Sequence, residues 1–138
     1  MDVLLVGLGR WGEKHLRVLS ELGVTVWAAD GATSRRQWAV GQGIDPSRVA
    51  ADFRDVLMRV DAVDVVTPAD SHRAIAEATL AAGRHCFVEK PLAVSVADGR
   101  AIAAAAAAGD RVVQVGHIFP FHPVTSVLRA ALVAGRIG

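Results

Sequence analysis

Short apolar runs bounded by glycine, proline or acidic residues alternate along the chain with longer stretches in which apolar positions recur every three or four residues. Residues 3–6 (VLLV) are apolar without interruption and end at Gly7, the pattern of a strand buried on both faces. Over 10–22, Trp11, Val18, Leu19 and Leu22 recur at helical spacing, with His15 an ambivalent member of the same stripe, and Gly23 is placed to end the helix. A second strand runs through Val24, Val26 and Ala28 to Asp30. Ser34 is expected to cap a helix reaching Gly41, after which Gly43, Asp45 and Pro46 mark a loop.

The alternation continues in the second half. Residues 49–51 read as a brief strand, 53–59 as a short helix, and 62–67 as a strong strand stopped by Pro68. Asp70 or Ser71 is expected to cap a helix that runs to Ala82 with Gly83 behind it. A strand at 85–88, a helix at 96–108 closed by Gly109, and a strand at 112–115 follow; Pro123 suits the first turn of a last helix ending near Gly135. Short apolar strands separated by helices imply a parallel sheet with right-handed crossovers, a doubly wound α/β fold.

Composition narrows the function classes. The 138 residues give room for one domain and one core. Hydrophobic residues make up 52%, which reads as globular rather than disordered, and a formal charge of +1 with dispersed basic residues argues against a nucleic-acid binder. Cys86 is the single cysteine, so no internal disulfide and no paired-thiolate metal site is expected, in keeping with a reducing cytoplasm. Neither a signal peptide nor a membrane anchor is expected, because no apolar run reaches the ~18 residues of a span. The alanine-rich run at 103–108 reads as a tightly packed helix.

Candidate chemistry begins where the first strand meets the first helix. GLGRWG supplies a glycine for the tight turn (Gly7), one for close approach of backbone to a pyrophosphate (Gly9), and one for helix-to-sheet packing (Gly12). The helix from Arg10 would present free N–H groups and a positive dipole end to phosphates, making Gly7, Leu8, Gly9, Arg10, Trp11 and Gly12 candidate cofactor residues. Asp30 stands 18 positions past Gly12, near the ~20 expected of a carboxylate that binds ribose hydroxyls, which favours NAD over NADP. Arg35 and Arg36 read as a solvated helix start, or as a 2′-phosphate pocket if Asp30 turned away. Thr67 and Pro68 fall at the carboxyl end of a strand, where ligands of open α/β sheets bind. His72 is a ligand contact or a capping and packing residue, and Asp70 reads as a helix cap. Lys90, followed by Pro91, lies at another strand end, where its ammonium would face a ligand or pair with Glu89.

Taken in order, VGLGRWG, VDAVDVVTPADSH, AAGRHCFVEKPLA and QVGHIFPFHPV resemble the Gfo/Idh/MocA oxidoreductases, and the resemblance covers nearly the whole chain. It implies a single Rossmann domain over 1–122, with NAD, or alternatively NADP, held at Gly7 to Gly12 and Asp30, and with Thr67 and Pro68 beside it. It also implies that Glu89, Lys90 and Pro91 of the EKP motif and His117 lie near the nicotinamide. Lys90 would assist hydride transfer at a carbinol carbon of a sugar or cyclitol. Pro120 departs from the pattern, since many relatives carry Arg there, and puts the contacts of that arginine in question.

Relatives of this kind continue into a C-terminal substrate domain that these residues do not contain, and 123–138 resembles the helix leading into it. Three readings follow: the cofactor half of an oxidoreductase, completed by more chain or by a partner; a stand-alone dinucleotide-binding module; or an assembly surface without cofactor. A domain without its neighbour is expected to expose apolar surface and to associate as a homo-oligomer or with a partner chain.

Overall fold

The computed structural model describes residues 1–137. Six strands form one sheet, every pairing parallel: β1 (Asp2–Val6), β2 (Thr25–Ala29), β3 (Val49–Ala50), β4 (Ala62–Val65), β5 (His85–Val88) and β6 (Val113–Val115). Their spatial order is β3-β2-β1-β4-β5-β6. Five helices connect or follow them: α1 (Arg10–Glu21), α2 (Thr33–Gly41), α3 (His72–Ala81), α4 (Val96–Gly109) and α5 (Pro123–Val133). The order reverses direction between β1 and β4, so the connections leaving those strands part and open a crevice at their carboxyl ends.

The apolar runs form strands because both faces of the sheet are covered. Leu5 packs with Leu8, Leu16, Ala39 and Ile44 on the side of α1 and α2, whereas Leu4 and Val6 pack with Phe53, Leu57, Ile75 and Ile102 on the other. Leu4 and Leu5 are fully buried, each worth about 1.5–3 kcal/mol relative to exposure. In register, Val6 lies opposite Ala29 and Val65, and Val65 opposite Val88. This alignment brings the ends of four strands to one edge.

Several local expectations need correction. α2 starts at Thr33 with Ala32 before it and no side-chain cap, so Ser34 lies inside the first turn. The turn is set earlier by Asp30, whose Oδ1 accepts from the Ala32 N–H at 2.8 Å, and by Arg36, which donates to the Asp30 and Gly31 carbonyls at 2.8 Å. Residues 53–59 form two 3₁₀ turns, Phe53–Asp55 and Leu57–Arg59, rather than one helix. Phe53 and Val56, and then Leu57 and Val60, are buried three residues apart, the repeat of a three-residue turn.

Ser71 stands at the N-cap position of α3 but its side chain makes no capping bond, and Asp70 does not cap the helix. A 3₁₀ turn at Ala69–Ser71 precedes it, and the Ser71 hydroxyl instead donates to the Pro68 carbonyl at 2.7 Å. β4 ends at Val65, two residues before the expected end. α4 runs through Gly109 and is closed by Asp110 in the left-handed conformation, φ +49°. Its start is capped by Ser95, whose hydroxyl accepts from the Asp98 N–H at 3.1 Å. α5 buries none of its residues and leaves Val124, Val127, Leu128 and Leu132 exposed. Among the described residues, no helix is long and apolar enough to cross a membrane.

Candidate cofactor site

The crevice at the carboxyl ends of β1, β2 and β4 holds a cavity of about 480 Å³ lined by Gly7, Gly9, Asp30, Gly31, Thr67 and Pro68, among others. Gly7 takes φ +95°, and a Cβ there would lie 2.7 Å from the Val66 carbonyl oxygen, so only glycine lets β1 turn this close to β4. Gly12 is tighter still: its Cβ would lie 2.1 Å from the Gly7 carbonyl oxygen. Gly9 precedes α1, and a Cβ there would meet nothing within 4 Å. The loop therefore leaves open backbone at Gly9 and the first N–H groups of α1, which suits an anion arriving from the cavity.

The acidic and basic groups around this loop brace it. Asp30 accepts from the Leu8 N–H at 2.8 Å through Oδ2, while Arg35 donates from Nε to the Leu8 carbonyl at 2.5 Å and pairs with Glu13 at 2.7 Å. The Arg35 guanidinium also stacks on Trp38, 4.7 Å from the ring centroid. Arg35 and Arg36 are thus committed to the loop and to the start of α2, not to a solvated helix start. Leu8 is fully buried with both backbone groups taken, so it is a packing residue rather than a cofactor contact.

Of the two readings of His72, ligand contact or packing residue, the structure fits the second. The side chain is buried, with Nε2 at 2.9 Å from the Thr67 carbonyl and Nδ1 at 3.0 Å from the Pro91 carbonyl. The imidazole clamps the loop after β4 to the loop after β5 and does not line the cavity. The Lys90–Pro91 peptide is cis. Lys90 is exposed, and its Nζ lies 5.8 Å from the centroid of the Trp11 ring, which is itself exposed on the first turn of α1. Glu89 does not pair with the Lys90 ammonium; its Oε2 accepts from the Lys90 backbone N–H at 3.0 Å. Arg10, the first residue of α1, and His117, in the loop after β6, are exposed and line no part of the cavity.

Two features were missed in the sequence. The first is the turn after β3, where Asp52, Phe53 and Arg54 form a further wall of the cavity and the Arg54 guanidinium stacks on Phe53 at 4.6 Å. The second is a polar trio behind the loop. His15 Nδ1 lies 2.8 Å from Asp64 Oδ2, and its Nε2 lies 3.3 Å from Glu89 Oε1. A carboxylate inside the apolar strand AVDV was the available signal, because a buried aspartate needs a partner. The hydrogen bond to Asp64 raises the His15 pKa above its ordinary value, against the opposing effect of burial. Burial raises the Asp64 carboxyl, partly offset by His15.

These directions give the trio a pH signature. The raised His15 contributes stability that is complete below the unfolded histidine value and is lost as pH rises through the higher folded value. The raised Asp64 acts with the same sign in the acidic range, beginning at the ordinary carboxylate value. Urea unfolding is therefore expected to give lower stability at about pH 9 than at about pH 6, and His15→Gln is expected to flatten that slope. An equal slope in the variant would remove His15 as its cause.

A parallel sheet in this order, with a glycine loop at its first crossover and an acidic residue closing β2, defines a doubly wound dinucleotide-binding domain. The chain belongs to the Gfo/Idh/MocA family: residues 1–117 match the group described as the oxidoreductase family, NAD-binding Rossmann fold. It is 38% identical over 140 residues to inositol 2-dehydrogenase 1 of Saccharopolyspora erythraea, an alignment covering 97% of this chain and 42% of that protein. It is 30% identical over 135 residues to UDP-N-acetylglucosamine 3-dehydrogenase of Acidithiobacillus ferrooxidans, covering 92% of this chain and 40% of the relative. Scyllo-inositol dehydrogenase from Lactobacillus casei, solved with NAD(H) and scyllo-inositol, superposes with a TM-score of 0.88 at 26% identity, covering all of this chain and 42% of that one. The chain thus spans less than half the length of these relatives. NAD is the cofactor of the domain, and the open backbone at Gly9, the start of α1 and the Asp30 carboxylate fit its pyrophosphate and ribose.

Proposed function

We propose that this chain is the cofactor half of an oxidoreductase that moves a hydride between nicotinamide and a secondary alcohol, or its ketone, on a sugar or cyclitol. The observation that carries the reading is the convergence of Gly7, Gly9, Asp30, Thr67 and Pro68 on one cavity at the switch point of the sheet. Bound NAD supplies the hydride acceptor at nicotinamide C4. Gly9 and the first turn of α1 hold the pyrophosphate, Asp30 accepts from the ribose hydroxyls, and Thr67 and Pro68 wall the far side. Trp11, Lys90, Pro91 and His117 border the nicotinamide end, where Lys90 orients the substrate oxygen and exchanges its proton.

The inositol, UDP-sugar and scyllo-inositol dehydrogenases among the relatives support a polyol or sugar substrate. NAD is preferred over NADP because Arg35 and Arg36 are engaged with backbone carbonyls and Glu13. Residues 1–122 form the dinucleotide-binding unit, and 123–138 lead toward the surface that completes the substrate pocket. The exposed apolar side chains of α5 suit a second domain, a second copy or a partner chain. A cytoplasmic location agrees with the single cysteine, Cys86.

NADH titration followed by tryptophan emission tests the cofactor site, because Trp11 lies on the first turn after the loop. The expected result is quenching with energy transfer to the dihydronicotinamide; silence at about millimolar NADH and NADPH would refute the proposal. With the substrate pocket completed, Lys90→Ala is expected to reduce turnover about 100-fold or more while NADH affinity is retained. Unchanged turnover removes Lys90 from the mechanism. Binding without turnover in the wild type favours the stand-alone module.

A further inference from the structure

We propose that His15 is a positioning residue for Lys90, acting through the Glu89 carboxylate that holds the Lys90 backbone N–H. This rests on the reading that Lys90 faces the substrate. α1 leaves the phosphate loop directly, so His15, three residues past Gly12, is rigidly tied to the cofactor end of the domain. Its ring reaches across the sheet to β4 and to the end of β5, where it meets Asp64 at 2.8 Å, Glu89 at 3.3 Å and the edge of Phe87 with ring centroids 6.0 Å apart. The second oxygen of Glu89 accepts from the Lys90 N–H at 3.0 Å.

The Glu89 carboxylate has little room to leave. A Cβ at Gly116 would lie 3.0 Å from Glu89 Oε1 and 3.3 Å from its Cδ, so the chain after β6 closes over this side chain and glycine is what lets it fit. A path of polar contacts thus runs from the interior of β4 through α1 to the backbone of the EKP loop: a hydrogen bond at Asp64, an ion-pair contact at Glu89 and a hydrogen bond to the Lys90 N–H. The Lys90 ammonium lies 5.8 Å from the centroid of the Trp11 ring, on the same helix as His15.

Proton counting gives the device its chemistry. Carboxylates only accept, so bridging Asp64 and Glu89 requires an N–H on both nitrogens of His15. A ring that has lost one proton turns a lone pair toward one carboxylate and loosens that contact. The charged and titratable groups around it are Asp64 on β4, Glu89 after β5, Cys86 and His85 on β5, and Lys14 on its own helix. Of these, His85 has its Nδ1 taken by the Val112 N–H at 3.2 Å and Cys86 is buried. Asp64 Oδ1 has no partner among the described residues, so that carboxylate relies on His15.

The test is an imidazole ¹H–¹⁵N titration of the 138-residue chain, with the Lys90 backbone amide followed in the same samples. Both His15 ring nitrogens are expected to be protonated at about pH 7, and the Lys90 amide shift should move with the same midpoint as the ring. Glu89→Gln should lower that midpoint by about one pH unit, and His15→Gln should abolish the Lys90 inflection. Should His15→Gln fail to fold, the wild-type and Glu89→Gln titrations still decide. A neutral His15 ring at about pH 7, or a Lys90 amide indifferent to its titration, overturns the proposal. Adding NADH reads the cofactor site separately: shifts of the Gly7 to Gly12 amides report on it, and their absence would leave the His15 to Lys90 coupling intact.

Discussion

Gly12→Ala is expected to destabilise the domain by about 3 kcal/mol and to abolish NADH binding, whereas Gly9→Ala is expected to fold normally and still lose the cofactor. The two glycines stand three residues apart, Gly9 just before α1 and Gly12 in its first turn, yet a methyl group meets opposite surroundings at each. At Gly12 the added carbon would lie 2.1 Å from the Gly7 carbonyl oxygen, a backbone atom that cannot rotate aside. Relief requires α1 to withdraw from β1, separating Leu16 from its contacts with Leu5 and Leu8. Overpacking of this kind costs typically 1–3 kcal/mol, and a clash with backbone belongs at the upper end. For a domain of this length that corresponds to a fall of roughly 10 °C in Tm.

At Gly9 the backbone is extended, φ −71° and ψ −166°, and nothing lies within 4 Å of the added carbon. The folded chain tolerates it, and only an incoming pyrophosphate meets it. Thermal unfolding and NADH titration on the two variants separate the cases. A Gly9→Ala protein with unchanged NADH affinity would show that the phosphates bind elsewhere.

Asp30→Ala is expected to weaken NADH binding about 100-fold and to narrow or reverse the preference over NADPH. Two losses add. The ribose hydroxyls lose a charged acceptor, worth about 1.5–3 kcal/mol, and the phosphate loop loses its hold on the Leu8 N–H. Removing the carboxylate also removes its repulsion of a ribose 2′-phosphate, so NADPH affinity should fall far less than NADH affinity. Parallel titrations with both dinucleotides make the check; an equal loss for the two would locate the effect in the loop rather than at the ribose.

Where the sequence was legible, the reason is that the signal was local. VLLV could only be a strand buried on two faces, and the turn at Gly7 followed from its neighbours. Asp30 was legible because a fixed chain distance separates the glycine loop from the end of the next strand. The alternation of elements carried the parallel sheet, and Thr67 and Pro68 fell at a strand end from their neighbours alone.

What stayed hidden depends on contacts between residues distant in the chain. Arg35 looked solvated because its partner, the Leu8 carbonyl, lies 27 residues away. His72 stayed open between ligand contact and packing because the Pro91 carbonyl it holds is 19 residues ahead. The pairing of His15 with Asp64 spans 49 residues, and only the misplaced charge in an apolar strand hinted at it. The double turn at 53–59 was mistaken for a helix because apolar spacings of three and four overlap over so short a stretch.

Cys86 sits on β5, between β4 and the edge strand β6, 2% exposed, with burial pushing its thiol up to about 12. At neutral pH almost none of it is thiolate, and the buried side chain offers little surface to a reagent. The molecule is in effect already a blank background for maleimide chemistry. A cysteine introduced on the exposed face of α5 could be tagged alone, and a dye there would report directly on whatever comes to rest against that helix.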